Sequence, residues 1–292
     1  MKGSIFVIIR ILLIAFIALW VSRLAAQTVG DTYKKAKSAG HGTITYVYVK
    51  TPGFAAKDSN GEVSGICVDI MKEFVKYVAQ KKNLKLTLKF KNHGDANNFK
   101  LFMTTVKNSR GGVFGLGNIT ITEARKKSYN FSPSFMTNVT IMLTHSSVPS
   151  LKKLSQIATT FKGMKAITVK GTTNEQNILE IKKKYMPSLQ IVQVKSSEAA
   201  LNKVITDKTS FTNLDFTYYL AVLKQRKPIK RHQDADKATE KFGIIMPKSN
   251  DWSPLLAEFF DSGFIGGVEY RKSISRHLGA NALKLLDYYN KQ

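Results

Sequence analysis

Residues 113–132, Val-Phe-Gly-Leu-Gly-Asn-Ile-Thr-Ile-Thr-Glu-Ala-Arg-Lys-Lys-Ser-Tyr-Asn-Phe-Ser, combine a strand, a turn and the start of a helix. An apolar run opens the stretch and leads through Gly117 into polar residues. Thr120 and Glu123 then have the spacing of a capping box, in which each side chain satisfies a free amide at a helix start. We therefore expect a strand that leads directly into a helix beginning at Thr120.

A second junction of the same kind follows the apolar strand at residues 166–169. It reads Lys-Gly-Thr-Thr-Asn-Glu over residues 170–175, and Thr172 and Glu175 repeat the capping spacing. Ligands of open α/β sheets bind beyond such strand ends, where helix N-termini present unpaired N–H groups. Each junction is a candidate for part of an anion site, although spacing alone favours ordinary helix caps.

Strand and helix patterns alternate on both sides of these junctions. Residues 43–49 are rich in β-branched and aromatic side chains, and residues 84–90 alternate between polar and apolar. Between them, apolar side chains recur at helical spacing: Cys67, Ile70, Met71, Phe74 and Val78. A second set of strands and helices runs from residue 166 to about residue 246. This order predicts an α/β fold with two units, each a mostly parallel sheet flanked by helices.

The N-terminus has the layout of a signal peptide. Lys2 and Arg10 precede an unbroken apolar run over residues 11–20, and no acid lies among residues 1–26. Because Ala25 and Ala26 follow the run, we expect cleavage near Ala26, with residues 1–26 as the signal peptide and a periplasmic mature chain. An uncleaved membrane anchor is the alternative.

Composition excludes some classes of function. A hydrophobic content of 43% with 10% aromatic residues excludes a mainly disordered chain. The formal net charge of +25 would suit nucleic acid, an anionic membrane or an acidic ligand. The lysines are scattered, however, so we interpret them as a solvated surface and expect no nucleic-acid partner. The densest basic cluster, residues 226–231, is predicted to lie in a loop.

Neither a metal site nor a cofactor is expected. The chain has one cysteine, Cys67, and five histidines that are far apart in sequence. Cys67 falls on the apolar face of the predicted helix and is interpreted as a buried core residue.

Four blocks, in order, resemble one protein family. Residues 120–132 are similar to the T-I-T-x-x-R block and the D-F-S-x-P-Y-like strand of the polar-amino-acid solute-binding proteins of bacterial ABC importers. Residues 54–69 resemble the segment of that family that begins with P-F and ends with G-F-D-V-D. Residues 171–175 resemble its G-T-T block, and residues 242–263 resemble its return strand and the helix that follows. The likeness covers residues 43–285, nearly the whole mature chain.

The resemblance implies a two-lobed periplasmic-binding-protein-like fold with two crossover strands. The first lobe would comprise residues 40–144 plus 247–292, and the second lobe residues 145–246. Such a protein is a monomer that closes its lobes over a small amino-acid-like ligand and passes it to an ABC transporter permease, without catalysis. A periplasmic lyase or dehydratase on the same scaffold, or a ligand-sensing partner of a membrane receptor, is the alternative.

The resemblance also assigns the ligand contacts. Arg125 would bind the ligand carboxylate, since a planar guanidinium matches a carboxylate with two parallel hydrogen bonds. Thr172 and Thr173 would add donors from the second lobe. Asn118 and Thr120 would accept from the ligand ammonium group.

Three further assignments complete the predicted site. Asp215 would complete the ammonium site, with Thr212 or Asn213 as alternatives because the alignment is loose there. The chain has Thr51 where the family often has a stacking aromatic, and Gly117 where it has a small polar residue. Phe54 is therefore the candidate apolar wall, with Phe114 or Tyr48 as substitutes.

Overall fold

A computed structural model describes residues 27–289, so the predicted signal peptide lies outside the described residues. In chain order the strands are β1 (Val29–Gly30), β2 (His41–Tyr48), β3 (Ala56–Lys57), β4 (Val63–Ser64), β5 (Lys85–Phe90), β6 (Arg110–Gly111), β7 (Val113–Leu116), β8 (Tyr129–Phe131), β9 (Met136–His145), β10 (Lys165–Val169), β11 (Gln190–Val194), β12 (Ser210–Asp215), β13 (Ile229–Phe242) and β14 (Ile245–Pro247).

The α-helices are α1 (Tyr33–Ala39), α2 (Ile66–Lys82), α3 (Phe99–Asn108), α4 (Glu123–Lys126), α5 (Ile157–Thr160), α6 (Thr173–Tyr185), α7 (Ser197–Thr206), α8 (Phe216–Lys224), α9 (Ser253–Phe259), α10 (Val268–Leu278) and α11 (Ala280–Tyr289). A 3₁₀ turn at Leu154–Gln156 precedes α5, and a π turn at Phe260–Phe264 follows α9. None of the helices in residues 27–289 is long and apolar enough to cross a membrane.

Two five-stranded sheets form the framework. The first has the order β5-β2-β7-β14-β8, and only β14 runs against its neighbours. The second has the order β11-β10-β12-β9-β13, and only β9 runs against its neighbours. The structure therefore confirms the predicted α/β fold of two lobes, each with a mostly parallel sheet and flanking helices.

The chain passes between the sheets twice, after β8 and after β13. The strand β9 pairs with β12 and β13, both in the second sheet, although the predicted boundary after residue 144 assigned it to the first lobe. We therefore propose lobe boundaries at residues 132–135 and 243–244. Antiparallel pairing with a strand about 70 residues further on decides where β9 belongs, and the local sequence of β9 carries no sign of that partner.

The longest helix of the first lobe follows its predicted pattern. The side chains of Cys67, Ile70, Met71, Phe74 and Val78 are all fully buried on one face of α2. The helix ends at Asn83, which adopts a left-handed conformation with φ of 48° after two lysines in the last turn. Lysines near a helix C-terminus are favoured by the helix dipole.

The C-terminal helical segment is divided in two, and the predicted basic loop differs from the structure. The helical segment after residue 268 is interrupted at Gly279, where φ is 92°, and continues as α11. The basic cluster at residues 226–231 lies only partly in a loop, because β13 begins at Ile229. Arg231 forms a mostly buried ion pair with Asp236 on the same strand.

Three phenylalanines hold both crossings against the core of the first lobe. Phe135 lies in the first crossing, Phe242 ends β13 before the second, and Phe54 comes from the loop after β2. The ring of Phe54 lies 5.5 Å from that of Phe242 and 6.1 Å from that of Phe135. All three side chains are at most 1% exposed. Tyr270 of α10 adds a hydrogen bond from its hydroxyl to the carbonyl of Phe135.

Phe242→Ala should destabilise the protein by about 3–5 kcal/mol, because it leaves a cavity in this rigid cluster. Phe90→Ala is the matched control, since Phe90 is 38% exposed on the edge strand β5; its loss should cost only about 1 kcal/mol. Urea unfolding followed by the fluorescence of the buried Trp252 measures both. Equal losses in the two variants would contradict the central role of the cluster.

Candidate functional site

The segment after β7 leads into the cleft rather than directly into a helix. The backbone of residues 119–121 pairs with the end of β13, through the bridge between Thr120 and Phe242 and the hydrogen bond from Ile121 N to Lys241 O at 2.8 Å. The helix begins at Glu123, and its N-cap is Thr122, whose hydroxyl accepts from Arg125 N at 3.1 Å. The predicted cap at Thr120 is therefore wrong, because backbone pairing keeps that residue extended.

The hydroxyl of Thr120 is consequently available to the cleft. It donates to Oε2 of Glu240 at 3.0 Å, and its oxygen lies 3.3 Å from the hydroxyl oxygen of Thr173 in the second lobe. A residue of the first lobe thus meets the start of α6 directly.

The guanidinium of Arg125 spans the two lobes. It donates to the carbonyl of Thr120 at 2.8 Å and to the carbonyl of Gly171, in the second lobe, at 3.3 Å. The guanidinium carbon lies 5.5 Å from the centre of the Phe99 ring, which is within range of a cation–π interaction. Burial lowers the pKa of Arg125, while the nearby Glu240 and Asp215 act in the opposite direction. The side chain is held by carbonyls, groups that a carboxylate would outcompete as acceptors.

The junction in the second lobe forms the predicted cap. The hydroxyl of Thr172 accepts from Glu175 N at 3.1 Å, and the carboxylate of Glu175 accepts from Gly171 N at 2.8 Å. The Thr172 hydroxyl also donates to the carbonyl of Val169 at 2.7 Å, so it is committed to the helix start. The hydroxyl of Thr173 faces the cleft and donates to Glu240 at 3.2 Å.

Asp215 ends β12 at the floor of the cleft. Its carboxylate accepts from three amides, those of Asn118, of Asn138 at 2.7 Å and of Asn174 at 3.5 Å. Burial raises the pKa of Asp215 to about 7, the negative charge of Glu240 adds to the rise, and the three amides oppose it.

The two alternatives to Asp215 lie away from the cleft. The hydroxyl of Thr212 donates to the carbonyl of Ile167 at 2.7 Å, and the side-chain carbonyl of Asn213 accepts from Asn177 at 3.2 Å. Both residues are buried within the second lobe. Only Asp215, at the last position of the strand, reaches the space between the lobes.

The structure gathers six of the seven predicted site residues around one cleft: Asn118, Thr120, Arg125, Thr172, Thr173 and Asp215. The prediction for Phe54 is wrong, because its ring is fully buried in the first lobe and does not line the cleft. Its substitutes Phe114 and Tyr48 are core residues as well. Phe99 and Tyr218 line the cleft instead. The ring of Phe54 lies in the core because it packs against Phe135 at the first crossing and Phe242 at the second.

Two residues that form hydrogen bonds with residues of the cleft, Asn138 and Glu240, were not predicted either. They are cross-strand partners on β9 and β13, and the Asn138 amide donates to the carboxylates of both Asp215 and Glu240, at 2.7 and 3.0 Å. The sequence offered a signal for Asn138, because it is a polar residue near the start of a largely apolar strand. Glu240 had none, because it lies in a run rich in charged residues.

The described part of the chain shows no metal-binding arrangement. No three His, Cys, Asp or Glu side chains within residues 27–289 are grouped closely enough to hold a metal ion. Cys67 is fully buried, and burial raises the pKa of its thiol to about 12.

The described residues thus form two α/β lobes that are joined by two crossings and have a polar cleft between them. The model of the bacterial extracellular solute-binding proteins, family 3, matches residues 44–262, and the chain belongs to this family. A glutamine-binding protein of Geobacillus stearothermophilus is 25% identical over 221 residues, which cover 73% of this chain and 75% of that protein. The family predicted from the four sequence blocks is thus confirmed.

Solved structures of amino-acid-binding proteins share the fold. An ancestral arginine-binding protein bound to glutamine matches with a TM-score of 0.64 at 21% identity, over 81% of this chain and 98% of that one. The arginine-, lysine-, histidine-binding protein ArtJ from Geobacillus stearothermophilus has a TM-score of 0.64 at 17% identity, over 81% and 95%. The ancestral amino acid-binding protein AncCDT-1, a precursor of cyclohexadienyl dehydratase, has a TM-score of 0.63 at 17% identity, over 84% and 98%.

The raised pKa of Asp215 makes the stability of the ligand-free protein depend on pH. Between about pH 4 and pH 7 the unfolded chain ionises this group while the folded protein keeps its proton, so stability falls as pH rises. From pH 5 to pH 8 the wild type should therefore lose on the order of 2 kcal/mol more than Asp215→Asn. Urea unfolding at both pH values measures the difference. The same pH dependence in both proteins would mean that folded Asp215 is already ionised at pH 5.

Proposed function

We propose that the protein captures a small amino-acid-like ligand between its lobes and delivers it to the permease of an ABC importer, without catalysis. The observation that carries the proposal is the arrangement of charge in one cleft. Arg125 and the start of α6 form a site for an anion, and Asp215 with its surrounding amides forms a site for a cation. A zwitterion with adjacent carboxylate and ammonium groups complements both.

The carboxylate site has donors from both lobes. Arg125 supplies two parallel N–H groups, and the 13-residue helix α6 directs its free amides and partial positive charge to the same place. The guanidinium donates to the carbonyl of Gly171. A ligand carboxylate would replace this neutral acceptor with a charged one, which forms a stronger hydrogen bond. Ligand binding would thereby stabilise the closed arrangement of the lobes.

The ammonium site depends on Asp215. An ammonium group next to this carboxylate favours its ionised form and lowers its raised pKa. Asn118, Thr120 and Thr51 lie nearby, and the hydroxyl of Thr51 donates to the Asn118 side-chain carbonyl at 2.8 Å. This network fixes the orientation of the Asn118 amide toward Asp215.

The relatives support the transport role. The curated relative is a glutamine-binding protein, and the structural neighbours are named for binding arginine, lysine, histidine or glutamine. Membership of an extracellular family supports export of this chain. We propose that residues 1–26 are removed near Ala26 and that the mature protein is a periplasmic monomer.

A lyase is the second candidate, and one observation favours it. A carboxylic acid with a pKa of about 7 in a cleft has the property that a general acid or base requires. The neighbour AncCDT-1 is described as a precursor of a dehydratase. The three amides that bind Asp215 favour the binding role, since they orient the group and stabilise its charge. Release of an altered product from a bound amino acid, followed by mass spectrometry, would establish the lyase.

A thermal-shift screen of the mature protein against the twenty amino acids tests the proposed function. A ligand that binds only the folded protein adds about 2.7 kcal/mol of stability at one hundred times its dissociation constant. We expect at least one amino acid to raise the melting temperature. If none does, an amino-acid-like ligand is the wrong class.

Arg125→Ala should remove most of the affinity for the amino acid found in that screen. Leaving the ligand carboxylate buried without its partner costs roughly 2–5 kcal/mol, which corresponds to a loss of about thirtyfold to several thousandfold. Arg125→Lys should recover part of it, because an ammonium group cannot make two parallel hydrogen bonds. Lys126→Ala is the matched control, since Lys126 is 51% exposed and pairs with Glu123. Calorimetry showing equal, small effects of the two alanine variants would reject Arg125 as the carboxylate ligand.

A further inference from the structure

Glu240 places a second carboxylate where the lobes meet. A single oxygen, Oε2, accepts from the hydroxyl of Thr120 at 3.0 Å, the hydroxyl of Thr173 at 3.2 Å and the amide of Asn138 at 3.0 Å. Thr120 belongs to the first lobe, and Thr173 belongs to the second. Both threonines are among the residues proposed to contact the ligand, so Glu240 lies at the edge of the ligand site.

Two lysines of this region, Lys50 of the cleft and Lys237 of β13, pair with carboxylates other than Glu240. Lys50 pairs with Glu198 at 2.8 Å, and these side chains are 41% and 48% exposed. Lys237, on the same strand as Glu240, pairs with Glu180 at 3.1 Å. Arg125 is close enough for the negative charge of Glu240 to raise the pKa of its guanidinium, against the opposite effect of burial.

Binding of a ligand changes the balance of charge in and around the cleft. The positive charge of Arg125 opposes the negative charge of Glu240, and burial favours the protonated form of Asp215. When a zwitterion binds, its carboxylate pairs with Arg125 and its ammonium group pairs with ionised Asp215. Glu240, which is partly buried, is then left without a compensating positive charge. Such a charge is costly unless it is paired.

We propose that Glu240 is a specificity-determining residue that makes the cleft prefer amino-acid-like ligands carrying an additional positive charge. The proposal rests on the proposed function and names its ligand class. An ammonium or guanidinium group on the ligand side chain supplies the missing positive charge. A neutral side chain leaves Glu240 unpaired, and an acidic side chain adds repulsion between like charges.

Glu240 also links the lobes by hydrogen bonds, and its charge can be tested separately from those bonds. Glu240→Gln keeps a side chain of nearly the same shape, with a carbonyl oxygen that accepts from Thr120 and Thr173. Only the negative charge is lost. Glu269→Gln is the matched control: Glu269 lies on α10, is 57% exposed and pairs with Lys272, so it undergoes the same change in charge outside the cleft.

The experiment is calorimetry of L-lysine, L-arginine, L-glutamine and L-glutamate with the wild type and both variants. For the wild type, we expect L-lysine or L-arginine to bind at least about tenfold more tightly than L-glutamine, and L-glutamate to bind weakest; tenfold is the effect of about 1.4 kcal/mol. Glu240→Gln should reduce the ratio of cationic to neutral affinity by about tenfold or more. Glu269→Gln should leave the ratio unchanged.

The outcomes separate this proposal from the proposed function. Binding of L-glutamine with no preference for the cationic amino acids overturns the role of Glu240 alone. An affinity ratio that is the same in the wild type and Glu240→Gln also overturns it. Absence of binding for all four probes, together with a negative thermal-shift screen, overturns the proposed function as well. The wild-type ligand series tests the charge preference even if Glu240→Gln does not fold.

Discussion

The arrangement of the cleft depends on the need to keep buried charges partnered where two lobes meet. The guanidinium of Arg125 reaches a carbonyl of the opposite lobe, and the Asn138 amide joins the carboxylates of Asp215 and Glu240. A charge taken out of water without a partner is strongly unfavourable. The lobes therefore meet through groups that either bind each other or bind a ligand, and a suitable ligand replaces contacts that already exist.

The two crossings have both a mechanical and a chemical role. On one side, Phe135 and Phe242 pack against Phe54 in the core of the first lobe. On the other side, Asn138 and Glu240 form a cross-strand pair whose side chains form hydrogen bonds with each other and with residues that line the cleft. The same two strands therefore contribute both to the core of the first lobe and to the polar contacts beside the cleft.

Much of the fold was predictable because it depends on local patterns. The buried face of α2, the alternation of strands and helices, and the cap at Thr172 all follow from residues close together in sequence. The residues at which individual helices and strands begin and end were less predictable. The helix expected at Thr120 begins at Glu123, because pairing with the distant strand β13 holds Thr120 extended.

The amino-acid sequence by itself determined the fold class, the family and six of the residues that line the cleft, because these depend on short motifs and on hydrophobic periodicity. Only the tertiary structure decided that Phe54 belongs to the core, that β9 pairs in the second sheet and that Glu240 forms a hydrogen bond with Thr173 of the cleft. Glu240 lies 120 residues from Thr120 in the chain, yet the two share a hydrogen bond. Contacts of this kind arise from the packing of the lobes, and no local pattern in the sequence records them.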